Sequence, residues 1–150
     1  MKKRREESLM EIVLASHSTL ARGMYDTASL IMGKSKNLHY ITAYLDDSVN
    51  FCDQLKEITA KISNQKIVFV TDVLGGSVNN ELTKFVAEKP NWFLVSGMNL
   101  PFVLELLNYS IAYPDDNLEE IKGKLASLVE TGREGLQLVE LNEQNEEEDF

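Results

Sequence analysis

Lys66-Ile67-Val68-Phe69-Val70-Thr71-Asp72-Val73-Leu74-Gly75-Gly76-Ser77 is the stretch on which the reading of this chain turns. Its apolar run, Ile67 to Val70, shows no alternation with polar residues, as a strand buried on both faces of a parallel sheet requires. An acid and two glycines then break the strand into a loop, and helical spacing resumes near Asn79. Glycines let backbone N–H groups turn toward an anion, and the helix start behind them adds a partial positive charge. The spacing is not that of a P-loop.

Working outward, Glu11-Ile12-Val13-Leu14-Ala15 is a second unalternated run, and it ends in Ser16-His17-Ser18. In a parallel sheet the two loops lie at the same carboxyl edge. Leu20, Met24, Ala28 and Ile31 then recur at helical spacing, with Ser18 or Thr19 available as N-cap and Gly33 placed to stop the helix. Leu38 to Leu45 supplies another strand. It contains His39, which is remote from any Gly-rich turn and is read as structural. Asp46-Asp47-Ser48 follows as an acidic helix start, with Cys52, Leu55, Ile58, Thr59 and Ile62 as the buried stripe of a helix running to about Ser63. A helix carrying Leu82, Phe85 and Val86 ends near Lys89-Pro90, before a fourth strand at Trp92 to Ser96.

The loop Gly97-Met98-Asn99 closes that strand, and Pro101 suits the first turn of the next helix. Four strand–helix units with short connections predict an α/β fold, a doubly wound and mainly parallel four-stranded sheet flanked by helices. A further helix is marked by Leu118, Ile121, Leu125 and Leu128. Thr131 to Gly135 is read as a turn leading into Leu136 to Leu141, a carboxy-terminal edge strand suited to pairing with a second subunit.

At 150 residues and 43% hydrophobic content the chain predicts one domain. Residues 11–141 form it, between a flexible amino-terminal extension at 1–10 and an acidic tail at 142–150 too poor in apolar groups to fold. A formal net charge of −9, with Lys2-Lys3-Arg4-Arg5 as the basic cluster, argues against nucleic-acid binding. The single cysteine, Cys52, excludes an intrachain disulfide and reads as a small hydrophobe; the chain has no CxxC or Cys/His metal spacing, so neither a metal nor a cofactor is expected. The apolar stretch after the basic start contains Glu11 and is too short for a signal peptide, and no stretch is long enough to span a bilayer. A cytoplasmic protein follows as the expectation.

A parallel sheet would bring His17, Asp72 and Ser77 together. Neutral imidazole is a good nucleophile toward phosphorus, and one ring nitrogen can attack while the other donates its proton to a carboxylate that fixes the tautomer. Asp72 could be that carboxylate, or an acid closing a turn; Ser77 could bind phosphoryl oxygens, or simply cap the helix behind it. His17 itself has an ordinary alternative, a loop histidine bonded to backbone.

Taken together, Val13-Leu14-Ala15-Ser16-His17, Thr71 to Asn79 and Gly97-Met98-Asn99-Leu100-Pro101 resemble the IIA component of the mannose-family phosphoenolpyruvate-dependent sugar phosphotransferase system, over roughly residues 10 to 141. The resemblance implies a phosphotransferase in which His17 is phosphorylated, Asp72 orients its ring and Ser77 is the hydroxyl of the Gly-Gly-Ser turn. It implies phosphoryl contacts from Ser18, Gly75, Gly76 and Ser77, with Asn99 bordering the site and no metal. It also implies HPr as donor, a IIB component as acceptor, IIC and IID membrane components as indirect partners, and a homodimer that exchanges carboxy-terminal strands. The location implied is cytoplasmic, with at most peripheral association with the permease, and the acidic end suggests a stand-alone IIA subunit. Ser18 stands where the family commonly has glycine, and Val78 where it commonly has proline. Ser16-His17-Ser18 also resembles the phosphocarrier subunit of phosphoenolpyruvate-dependent dihydroxyacetone kinase. A reading of another class is a non-enzymatic, flavodoxin-like phosphate-binding module.

Overall fold

The computed structural model describes residues 9–62 and 66–141. Four strands, β1 (Glu11–His17), β2 (Leu38–Ala43), β3 (Ile67–Thr71) and β4 (Trp92–Ser96), form one sheet in the order β2-β1-β3-β4, with every neighbouring pair parallel. The helices are α1 (Leu20–Met32), α2 (Phe51–Ile62), α3 (Ser77–Val86), α4 (Leu100–Ala112) and α5 (Leu118–Glu134). The doubly wound four-stranded sheet expected from the alternation of patterns is the fold observed.

Alternation of side, not of polarity, organises the central strands. Ile12, Leu14, Val68 and Val70 pack on one face with α1, α4 and α5, while Val13, Ala15, Ile67 and Phe69 pack on the other with α2 and α3. All eight are fully buried, and each larger side chain contributes roughly 1.5–3 kcal/mol by leaving water. Two-sided burial therefore holds β1 and β3 in register, Ile12 beside Val68 and Ala15 beside Thr71. The chain winds from β1 outward to β2 on one side and to β3 and β4 on the other. The switch point lies between the carboxyl ends of β1 and β3, where open α/β sheets form their ligand crevice.

Several local expectations change. The buried side of α1 is Ala21 and Ala28, with Met24 and Tyr25 partly covered, whereas Leu20 and Ile31 are exposed; small residues let this helix lie close to the sheet. Thr19 occupies the N-cap position without a side-chain bond, and the buried Ser16 hydroxyl instead accepts from the Ala21 N–H at 2.7 Å. Strand β2 stops at Ala43, two residues short of Leu45. Asp46 accepts from the N–H and hydroxyl of Ser48 in a local turn, so α2 begins only at Phe51, with Asn50 accepting from the Cys52 N–H. Helix α3 starts at Ser77 rather than near Asn79 and ends at Val86, before Lys89-Pro90. Met10, assigned to the extension, is buried in the core, and its carbonyl accepts from Asn37 Nδ2.

The carboxy-terminal end departs most. Helix α5 runs through Gly132, where a turn was expected, because that glycine is a packing position: an added Cβ would lie 3.1 Å from Phe102 Cβ and 3.3 Å from Asn99 Oδ1. Residues 136–141 join no strand ladder among the described residues, and Leu136, Leu138, Val139 and Leu141 are exposed. The expectations for residues 1–8 and 142–150, and the helix end at Ser63, lie outside the described residues.

Among the described residues, Ser18 (φ 53°) and Tyr44 (φ 65°) are the non-glycine positions with positive φ, a conformation that costs an L-residue roughly 1–2 kcal/mol. They are neighbours, because the Ser18 N–H donates to the Ala43 carbonyl at 2.9 Å. Glycine takes this left-handed backbone at no steric cost. Replacing Ser18 by glycine is therefore expected to stabilise the protein, by about 0.5–1 kcal/mol, as read from urea or thermal unfolding.

Candidate functional site

At the switch point, β1 ends in His17 and the loop after β3 begins with Asp72. Asp72 Oδ2 accepts from His17 twice, from the backbone N–H at 2.9 Å and from ring Nδ1 at 2.8 Å. Its other oxygen accepts from the Val73 N–H at 3.0 Å. An ionised carboxylate only accepts, so the proton of the neutral ring sits on Nδ1, the tautomer whose lone pair is on Nε2. The histidine side chain is 43% exposed and the aspartate 7%: the imidazole is accessible and the carboxylate that holds it is enclosed.

Burial pushes the Asp72 carboxyl up, but the hydrogen bonds from the His17 ring, the His17 backbone and the Val73 backbone outweigh it and hold the group below its ordinary value. Asp72 is thus charged across the neutral range. Its position is enforced from behind: Thr71 donates its hydroxyl to the Asn79 side chain at 3.0 Å, Gly76 N–H donates to the Val73 carbonyl at 3.2 Å, and the Asn80 amide donates to the Gly75 carbonyl at 3.2 Å.

Both glycines in this loop answer to geometry. Gly75 has φ 79°, and a Cβ on Gly76 would lie 3.3 Å from both His17 Cε1 and the Val73 carbonyl oxygen. Gly76 is the N-cap of α3 and Ser77 its first helical residue, so the hydroxyl does not cap the helix as the plain reading had it. Ser77 Oγ instead lies 3.1 Å from His17 Nε2. The N–H groups of the first turn of α3, which have no partner one turn back, begin at this same point.

His17, Asp72, Gly76 and Ser77 are therefore brought together, with Gly75 shaping the turn. Ser18 follows His17, but its N–H is committed to the Ala43 carbonyl. Asn99 does other work: its carbonyl oxygen accepts from the Phe102 N–H at 3.1 Å, capping α4, and its amide donates to the Gly132 carbonyl at 2.6 Å, pinning α5. His39 pairs with Glu11 at 2.5 Å within the sheet, as a structural residue would. Cys52 is half-buried and donates to Glu81 at 3.2 Å; that bond, burial and the nearby charge raise the thiol pKa, which makes a poor nucleophile. Among the described residues, no group of three or more His, Cys, Asp or Glu is disposed to hold a metal ion, and no helix is long and apolar enough to cross a membrane.

The sequence reading missed Tyr44. Its hydroxyl donates to Ser77 Oγ at 3.0 Å, and its ring lies 5.5 Å from that of His17. With the Ser77 proton directed at Nε2, the three groups form one chain of hydrogen bonds ending on the lone pair. The available signal was an aromatic residue at the carboxyl end of a strand beside β1. The sequence obscures it, because Tyr44 falls inside the strand-like run Leu38 to Leu45.

Comparison with known proteins places the chain among sugar phosphotransferase system components. A family profile described as "PTS system fructose IIA component" (EIIA-man) matches residues 11–131. The chain is 29% identical over 128 residues to the PTS system mannose-specific EIIAB component of Escherichia coli K12, a match that covers 83% of this chain and 38% of that protein. It is 22% identical over 105 residues to the PTS system fructose-specific EIIA component of Bacillus subtilis, covering 67% of this chain and 70% of the relative. The crystal structure of a protein described as a phosphoenolpyruvate-dependent sugar phosphotransferase system permease from Klebsiella pneumoniae superposes with a TM-score of 0.74 at 30% identity, covering 87% of this chain and 90% of that one. A mannose/sorbose-specific IIA subunit from Enterococcus faecalis shares the fold, with a TM-score of 0.68 at 20% identity. The profile match spans both loops of the site and β1 through most of α5, and on that basis the chain belongs to the EIIA-man family of sugar phosphotransferase system components.

Proposed function

We propose that the chain is a phosphocarrier: His17 Nε2 accepts a phosphoryl group from the phosphohistidine of HPr and passes it to a IIB component during sugar uptake. The observation that carries this reading is the Nδ1-H contact to Asp72 at 2.8 Å, which leaves Nε2 as an oriented, accessible nucleophile. In the transfer the P–N bond of the donor breaks, and its electron pair stays on the donor imidazole. The Nε2 lone pair forms the new P–N bond, and the Nδ1 proton stays bonded to Asp72. No net proton moves. Positive charge developing on the ring meets the carboxylate, and negative charge on the phosphoryl group meets the Ser77 hydroxyl and the start of α3, so positioning and electrostatics suffice.

With the proton of the neutral ring held on Nδ1, Nε2 presents a lone pair, which suits attack on phosphorus and not the passive holding of phosphate oxygens. Exposed apolar side chains at Leu20, Tyr44, Val73 and Leu74 stand on the segments that bear the site and suit a protein partner bringing its own phosphohistidine. The family relationship supports HPr and IIB as donor and acceptor, IIC and IID as indirect partners, and a cytoplasmic setting. A homodimer with exchanged arms is supported by two features: among the described residues β4 pairs on one side only, with β3, and Leu136, Leu138, Val139 and Leu141 are apolar and exposed.

Incubated with phosphoenolpyruvate, enzyme I and HPr, the protein should acquire an acid-labile, base-stable phosphate that passes to a IIB protein. His17→Ala should take up none, and label persisting in that variant would move the site elsewhere. Asp72→Asn should fold yet accept the phosphoryl group roughly ten- to a hundredfold more slowly in rapid-quench measurements, the worth of one charge-assisted hydrogen bond. Because folding lowers the Asp72 pKa, its stabilising contribution is complete above the unfolded value near 4 and is lost as pH falls through the folded value. The stability gap between wild type and Asp72→Asn in urea titrations should therefore narrow as the pH drops below about 4. Deleting residues 136–150 should weaken the dimer in sedimentation experiments, and an unaltered dimer would place the interface elsewhere.

A further inference from the structure

Tyr44 holds a costly backbone conformation, φ 65°, directly beyond the end of β2. A bulky residue is held there only where its surroundings over-determine it. What the conformation achieves is visible: the ring turns back over His17 at a centroid distance of 5.5 Å, and the hydroxyl reaches Ser77 Oγ at 3.0 Å. The ring of Phe51 lies beside that of Tyr44, 6.5 Å away between centroids. Ser77 Oγ is in turn 3.1 Å from Nε2, the atom that carries the phosphoryl group if His17 is the acceptor.

We propose that Tyr44 is a phosphoryl-binding residue, whose hydroxyl moves from Ser77 Oγ to a phosphoryl oxygen when Nε2 is phosphorylated. The proposal rests on reading His17 as a phosphoryl acceptor. In the unphosphorylated protein Ser77 donates to the Nε2 lone pair and Tyr44 donates to Ser77. Formation of the P–Nε2 bond consumes that lone pair, so the Ser77 proton loses its acceptor just as new acceptor oxygens arrive beside it. Ser77 then donates to one phosphoryl oxygen, and Tyr44, freed from an oxygen 3.0 Å away, donates to another. Both hydroxyls remain protonated throughout. The bond between them in the unphosphorylated state keeps the donors aimed at the place where negative charge will appear. Phosphohistidine is also shielded from water on the side the ring covers.

The test is Tyr44→Phe, which retains the ring, measured alone and in a Ser77→Ala background. Phosphoramidate, a small donor that needs no docking surface, is used beside phospho-HPr. Tyr44→Phe is expected to slow phosphorylation of His17 by either donor and to speed hydrolysis of the phosphohistidine, each by roughly tenfold, and to shift its phosphorus NMR resonance. The same changes are expected in the Ser77→Ala background. Unchanged rates in the single variant would overturn the proposal. So would an effect that vanishes once Ser77 is alanine, since Tyr44 would then act only by orienting Ser77. Labelling of His17 by phosphoramidate but not by phospho-HPr would remove the partner assignment and leave the Tyr44 comparison to stand or fall by itself. No labelling by either donor would overturn both.

Discussion

The Asp72 carboxylate accepts two N–H bonds from His17 and one from Val73, and the carboxyl edge of the sheet is arranged to make that possible. A single oxygen takes both the backbone and the ring of the histidine, so it fixes where β1 ends and which way the imidazole faces. The three donors keep the acid ionised in a place that burial would otherwise make hostile to charge. Lost ionisation would release tautomer, ring orientation and loop together. This coupling of chain path to chemistry is available only because β1 and β3 are adjacent, parallel and in register.

Adjacency comes from the core. Each central strand sends alternate side chains into two separate apolar clusters, and a shift of one residue would exchange the sets for which the two faces are built. The carboxyl ends of β1 and β3 thus inherit a fixed spacing from packing deep beneath them. The loop after β3 is then trimmed by small residues. Gly76 lets its backbone lie against the imidazole, and Gly75 takes the left-handed conformation that turns the chain into α3. The charged pair is precise because the apolar layers below it cannot slip.

Much of this was legible in the residues. Unalternated runs such as Ile12 to Ala15 and Ile67 to Val70 mark two-sided burial, and the polar or glycine-bearing segments after them mark the carboxyl edge. Those signals predicted the sheet and the meeting of His17, Asp72 and Ser77. Where the reading failed, the deciding information was three-dimensional. Gly132 looks like a helix breaker in sequence, yet its lack of a side chain serves the contact of α5 with Phe102 and Asn99. Asn99 is a polar residue on a loop in sequence, and only the fold shows that its amide joins two helices. Tyr44 gives no sign in sequence that its backbone will turn left-handed, since that conformation is imposed by the neighbours of β2 and not by the residue itself.

The bond from Asn99 to the Gly132 carbonyl has a mechanical corollary. Asn99 stands at the head of α4, and Gly132 lies in the last turn of α5, so the root of the carboxy-terminal arm is bolted to the carboxyl rim of the sheet. A hollow of about 450 Å3 there is bounded by Leu74, Gly97 and Asn99 on one side and by Gly132, Arg133 and Leu136 on the other. Whatever tugs on the arm is therefore felt first at the head of α4, through the amide that holds the two helices together.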